Sequence, residues 1–366
     1  MNIHSGSVRD ANLTPDVLVT HATGKNLGSA SPDAEVSLAR KSKRIPALDF
    51  TKGALVLIMV LYHWLNYFVR ADGSIYKYLR FLTPSFIFIT GFLISNVYLA
   101  KYRTSGRHIP GRLLVRGLKL LGIVLCLNMA LNMAHLKGLE SRVGDWSPAD
   151  LVVAYSTGLA PVAFSVLVPI AYLLILSAGL LIVSRRYRNI YHVASAVFVG
   201  CALLFELKGI KTGYLQIFSI GMLGVSLGYL AIDRINSLVK RPLIIFVAYF
   251  AYLSAITLWD DAYMLQIVGV CLSVAVMYWM GLQGAETTLP WKVVILLGQY
   301  SLFAYIAQIM ILQVLRRSLA PLGSGISVSG SALVATVVCT ILSVEILDRA
   351  RITMARLNKV YTAVFG

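Results

Sequence analysis

The chain has 366 residues, 58% hydrophobic and only 13% charged, with mean hydropathy +0.75. Soluble domains carry about 25% charged residues, so this balance excludes a soluble enzyme and points to a membrane protein. A formal net charge of +17 would suit a nucleic-acid binder, but the basic residues fall in alternate loops, as membrane topogenesis requires.

Residues 1–43 are polar and rich in Ser, Asn, Asp and Gly; this composition predicts a disordered tail on the cytoplasmic side. No signal-peptide apolar core precedes the first span, so that span is expected to act as a signal anchor. A bilayer crossing takes about 20 apolar residues. Stretches of that kind lie near 46–68, 77–100, 112–135, 163–184, 189–206, 213–232, 242–259, 262–283, 292–315 and 327–347. The expected fold is therefore an all-α polytopic membrane helix bundle of about ten transmembrane helices. Its membrane domain is placed at 44–350, and 351–366 is read as a cytoplasmic C-terminal tail. The denser basic clusters are Arg40 to Arg44, Lys101 to Lys119, Arg185 to Arg188, Arg234 to Arg241, and Arg349 to Lys359. The opposite loops hold fewer, among them Arg70, Lys77, Arg80, Lys208, Arg316 and Arg317. The positive-inside rule then puts both termini in the cytoplasm of a multi-pass plasma (inner) membrane protein.

The first span carries the residues most expensive to keep in hydrocarbon. An ionisable group there costs roughly 2.5 kcal/mol or more and persists when it has a partner or a task. Lys52 and His63 are eleven residues apart, which at 3.6 residues per turn returns to within about 20° of one face, roughly 16 Å along the axis. Asp49 lies near the same face. One stripe thus presents an Asp/Lys pair on the cytoplasmic side and, toward the outer leaflet, a histidine flanked by Tyr62, Asn66 and Tyr67. A histidine with an ordinary pKa near neutrality suits proton abstraction from a hydroxyl. The competing reading is an interfacial histidine in an aromatic belt with Trp64 and Tyr67.

In the second span, Gly91 permits close helix approach, and Ser85 and Thr90 are placed to hydrogen-bond across it. The third span opens with Arg112, Arg116 and Lys119, the end of the densest basic cluster. Such cations serve topology and anionic lipids; they also match the phosphates of a cytoplasmic donor. Farther along the same helix, Asn128, Asn132 and His135 form a polar stripe at i, i+4 and i+7, either helix glue or the wall of a cavity shared with His63. The apolar region 149–184 is interrupted by Pro161 and Pro169 and is too short for two spans, predicting a short re-entrant or interfacial helix before the fourth span. In the ninth span Ser301, Tyr305 and Gln308 share a face. Glu345, Asp348 and Arg349 end the tenth, as a local ion-pair group. Cys126, Cys201, Cys271 and Cys339 lie within spans at spacings that fit no zinc site or disulfide framework, and no metal is expected.

Taken in order, these motifs resemble the transmembrane acyltransferase superfamily, which holds the acyltransferase-3 O-acetyltransferases, glucan succinyltransferases and heparan glucosaminide N-acetyltransferases. The similarity rests on Arg44-x4-Asp49-x2-Lys52-Gly53, Lys52-x10-His63, Phe88-Ile89-Thr90-Gly91-Phe92 and Gly298-x2-Ser301-x3-Tyr305, across roughly 44–350. It implies transfer of an acyl group, acetyl by base rate, from cytoplasmic acyl-CoA to a hydroxyl or amine of a glycan or glycolipid on the outer side. His63 matches the essential histidine and Lys52 its basic partner, with Asp49 beside them. Arg112, Arg116 and Lys119 stand where the donor would bind. Asn66, Tyr67, Asn132, His135 and Tyr305 are candidates for holding the acceptor or the oxyanion. The chain departs from the pattern with lysine at 52, threonine at 90 and a span-three entry that reads Arg112-x3-Arg116-x2-Lys119 where the family has an arginine pair two residues apart. Gln308 stands near where many members have histidine. A transporter or flippase of a glycan or lipid-linked substrate is the rival class, with the same stripes lining a path, and an assembly protein is a third.

Overall fold

Ile45 is extended (φ −101°, ψ 100°) and Pro46 opens the first helix, a position where the missing N–H costs nothing and the fixed φ is already helical. Proline stands in the first two positions of three further helices from the same end of the bundle, at Pro110, Pro242 and Pro290. The computed structural model describes residues 45–69, 73–99, 109–133, 148–157, 164–184, 186–187, 189–210, 212–259, 262–284, 288–319 and 326–365. The N-terminal stretch read as disordered lies outside them.

Among the described residues there is no strand. The main helices are α1 (Pro46–Trp64), α2 (Leu82–Leu93), α3 (Ile109–Met133), α4 (Pro148–Thr157), α5 (Leu167–Val183), α6 (Ile190–Leu207), α7 (Gly213–Leu227), α8 (Ile232–Val239), α9 (Pro242–Leu258), α10 (Tyr263–Gln283), α11 (Leu289–Gln299), α12 (Ser301–Leu319), α13 (Ile326–Thr353) and α14 (Ala355–Phe365). The protein is an all-α polytopic bundle, as expected. Seven described segments are long and apolar enough to cross a membrane, and α7 with α8 form an eighth bent by 105°. The helices α5 and α9 are apolar but 17 residues each.

Three features depart from straight spans. The expected ninth span breaks at Tyr300 (φ −108°, ψ 26°) into α11 and α12. There Tyr300 turns its hydroxyl to donate to Asp348 on α13 at 2.5 Å. The helix α4 has ten residues, about 15 Å and half the hydrocarbon thickness; it does not cross. The chain beyond the tenth span is helical: α13 runs to Thr353 and α14 follows at the same end.

The first and second spans are the most enclosed: in the most apolar window of each, 56% of residues are buried inside the protein, against 17% for α6. Lipid tails are as apolar as leucine, so close packing and small residues hold such helices together. A Cβ on Gly53 would meet the Val294 carbonyl of α11, and one on Gly298 the Asp49 carbonyl of α1. On the other side, Gly91 and Gly224 bring α2 and α7 backbone to backbone in the same way. The bonds that cross this second contact come from Ser95 Oγ to Val225 O at 2.5 Å and Asn96 Nδ2 to Gly228 O at 3.2 Å. Ser85 and Thr90, placed by sequence as the bridging pair, instead donate to Phe81 O and Phe86 O one turn back on their own chain. A hydroxyl four residues ahead of a helical carbonyl already lies within reach of it.

Candidate functional site

His63 sits at the last turn of α1, where the backbone widens over Leu65–Val69 to i→i+5 winding. Such widened turns recur at functional sites because they re-aim side chains without ending the helix. Here the turn carries Tyr67 against the imidazole, rings 5.9 Å apart and within 16° of parallel. Tyr62 meets the ring edge-on at 5.4 Å. Tyr305 of α12 approaches at 6.3 Å and is itself held edge-on by Phe164 at 6.1 Å. A chain of tilted aromatics therefore fixes the histidine plane from three directions.

Polar satisfaction inside this cluster is incomplete. Both ring nitrogens of His63, the Tyr305 hydroxyl and both side-chain heteroatoms of Gln308 are buried with no hydrogen-bond partner among the described residues. Unpaired buried polar atoms are uncommon and need an explanation. A neutral imidazole offers one donor and one acceptor, and both remain available. By contrast Tyr67 is tied down: its hydroxyl accepts from Gln313 Nε2 at 3.2 Å, and the Arg316 guanidinium lies 5.8 Å above its ring. Trp64 is likewise fixed, donating to the Ser329 carbonyl of α13 at 2.6 Å. The two ring nitrogens of His63 are thus covered by protein, while the residue as a whole is half-buried.

A cavity of about 220 Å³ reaches this cluster from the basic end of the bundle, the end where α1, α3 and α11 begin. Its mouth carries Arg116 and Lys119 of α3 and is flanked by Val364 and Phe365 of α14. By their order along the helices, Thr90, Ser301 and Leu302 lie nearer that mouth and Phe86, Ile123, Leu167, Ile170 and Tyr305 lie deeper, forming its floor. Tyr305 belongs to both features, forming a wall of the cavity on one side and meeting His63 on the other.

The sequence candidates distribute unevenly around this geometry. Asp49 and Lys52 close on each other, Nζ to Oδ1 at 2.6 Å, where α1 touches α11. Neither lines the cavity, which takes no residue from α1. Arg116 and Lys119 line it; Arg112 is exposed, one helical turn nearer the helix start. Tyr67 and Tyr305 flank His63, whereas Asn66 is exposed on the widened turn. The Asn132 side chain and His135 lie outside the described residues. Asn128 is fully buried and donates to Val124 O at 2.9 Å. Arg349 pairs with Glu345 on its own helix, as expected.

Four contributors were not singled out by sequence. Phe164 and Phe86 are apolar residues among many, and nothing in a linear pattern distinguishes them. Val364 and Phe365 were assigned to a tail. The Ser301–Tyr305 face was visible at i and i+4, but its partner surface on α2, α3 and α5 was not. No group of three or more metal-ligating side chains occurs among the described residues.

The arrangement offers a cation-rimmed apolar pocket that ends at a buried hydroxyl, with an imidazole directly behind it. That is a setting for moving an acyl group. No curated protein and no solved structure matches the chain. Residues 45–345 match the family model of the acyltransferase domain, of the acyltransferase-3 type. With that match covering most of its length, the chain belongs to the acyltransferase-3 family, and it is a multi-pass membrane acyltransferase.

Proposed function

We propose that the protein takes an acyl group from cytoplasmic acyl-CoA and passes it to a hydroxyl or amine of a glycan on the opposite side of the membrane, with His63 as general base. The observation that carries this reading is the basic-rimmed cavity ending at Tyr305, on whose far side lies an imidazole with both nitrogens unpartnered. The phosphates of the donor would meet Arg112 at the surface and Arg116 and Lys119 at the mouth, charged donors suited to phosphate oxygens. The thioester arm follows Thr90 and Ser301 inward. Lys52, bound to Asp49, acts at a distance from this path and keeps the α1–α11 contact in place.

On the His63 side of Tyr305, past the cavity floor, the acceptor hydroxyl gives its proton to one nitrogen of His63 while its oxygen attacks the thioester carbon brought up to that wall. The Tyr305 hydroxyl donates to the oxyanion that forms. As the carbon–sulfur bond breaks, the proton passes from the imidazolium to the leaving thiolate, releasing CoA thiol and the acylated glycan. Acetyl is the base-rate acyl group; the uncharged floor of the cavity favours a small apolar acyl chain over one with a terminal carboxylate.

The test is acyl transfer in membrane vesicles from labelled acetyl-CoA to glycan, with wild type and His63→Ala. Loss of transfer with normal membrane insertion is expected. Normal acylation by the variant would end the assignment of His63, and movement of an unmodified solute with no label on glycan would return the reading to a transporter.

A further inference from the structure

A second cavity, of about 230 Å³, opens at the opposite end of the bundle, between the starts of α7 and α10, the end of α9 and the helical turn before α2. Its lining is unlike the first. Trp259 and Tyr252 supply aromatic faces, Gln216 and Gln266 supply amides, and Arg80 supplies a guanidinium. Tyr252 is 4% exposed and its hydroxyl has no hydrogen-bond partner among the described residues. Trp259 is 63% exposed, an open platform at the rim.

Position links this cavity to His63. The segment 73–80 places Tyr76 against Tyr62, rings 5.6 Å apart, and Tyr62 lies against His63. One turn later the same segment puts Arg80 into the cavity wall. Tyr78 hydrogen-bonds Thr257 of α9 at 3.1 Å, which closes the segment onto the cavity's other wall. The walls are held from within as well: Glu206 accepts the Tyr263 backbone N–H at 2.6 Å, and Tyr263 is hydrogen-bonded to Ser219.

We infer that this cavity binds a neutral pyranose unit of the acceptor glycan, holding the chain one or more sugars away from the point of transfer. A sugar ring presents apolar C–H faces that lie on Trp and Tyr rings and equatorial hydroxyls that both donate and accept. Amides match that pairing because each carries a donor and an acceptor, and few convergent polar groups on aromatic walls are what small polar ligands require. Glu206, bound to the Tyr263 backbone at the wall, disfavours an anionic unit. The inference rests on the glycan reading above and specifies the acceptor's chemistry.

The experiment measures equilibrium binding of glucose and N-acetylglucosamine tetramers, a galacturonate tetramer and phosphocholine to the purified protein in lipid nanodiscs. Wild type and His63→Ala are expected to bind a neutral tetramer equally, and Trp259→Ala and Gln266→Ala to weaken it at least tenfold. Both substituted side chains are partly or largely exposed, so folding is retained, and the Gln266→Glu variant supplies a second readout by rejecting neutral and anionic sugars to different degrees. Preference for galacturonate or phosphocholine overturns the inference. So does neutral-sugar binding that is absent in wild type or indifferent to Trp259. If His63→Ala still acylates glycan while the tetramer depends on Trp259, the catalytic reading falls and the sugar site stands; the reverse pattern separates them the other way.

Discussion

The cavities at the two ends of the bundle enclose about 220 and about 230 Å³, yet a ligand meets opposite chemistry in each. At the basic end two cations rim an apolar shaft, which suits a molecule with an anionic head and an apolar arm. At the other end aromatic rings, amides and one guanidinium line a more polar cavity. His63, near the end of α1, is linked toward each by ring contacts, through Tyr305 on one side and Tyr62 with Tyr76 on the other. On the proposed reading, the contrast teaches that the asymmetry of a transfer reaction across a membrane is built by lining, at nearly equal volume.

The largest way to break this comparison is to remove the group between the cavities. General bases contribute about 10²–10⁴-fold, so His63→Ala is expected to lower kcat by at least about a hundredfold in the vesicle assay, with unchanged protein level in the membrane. Next comes the basic rim. Charged hydrogen bonds are worth about 1.5–3 kcal/mol each, so Arg116→Ala with Lys119→Ala should raise the donor KM by tenfold or more. Binding of a neutral sugar to the opposite cavity should stay unchanged, which a parallel titration checks.

A third change leaves both cavities chemically intact and moves the helix that carries His63. Gly53→Val inserts a side chain where α1 and α11 touch backbone to backbone; overpacking of this kind typically costs about 1–3 kcal/mol. A lower thermal midpoint in detergent and reduced transfer are expected, while Gly111→Ala, which meets open space, should leave the midpoint unaltered. The smallest effect belongs to Asn66→Ala. Its side chain is exposed beyond the buried imidazole, and a change in kcat/KM below about twofold is expected, surface substitutions being typically within ±0.5 kcal/mol.

How much of this was visible in the chain differs between elements. The bundle was legible because apolar runs of bilayer length leave little freedom, and most helices fall within a few residues of where hydropathy places them. The break at Tyr300 was not, since it answers to Asp348 on another helix. Nor was the 105° bend after Leu227, which follows an apolar run with no proline. Within the site, the Asp49–Lys52 pair followed from i,i+3 spacing. The stripe from Lys52 to His63 does not mark a shared pocket, because the shaft is walled by α2, α3, α5, α12 and α14. Arg112 and Arg116 share a face by spacing, and only the depth of the shaft separates the exposed one from the enclosed one.

The last helix has a practical bearing. Arg351 donates to Tyr300 at 3.0 Å and to Asn358 at 2.8 Å, and stacks on Tyr361 at 4.0 Å, while Tyr361 stacks on Phe365. This clasp sets Phe365 beside the doorway through which the donor would arrive. Any affinity tag or fluorescent protein fused there would hang across that doorway. Labels are better attached ahead of Pro46, and a fusion that lowers donor uptake without harming expression would report on traffic through it.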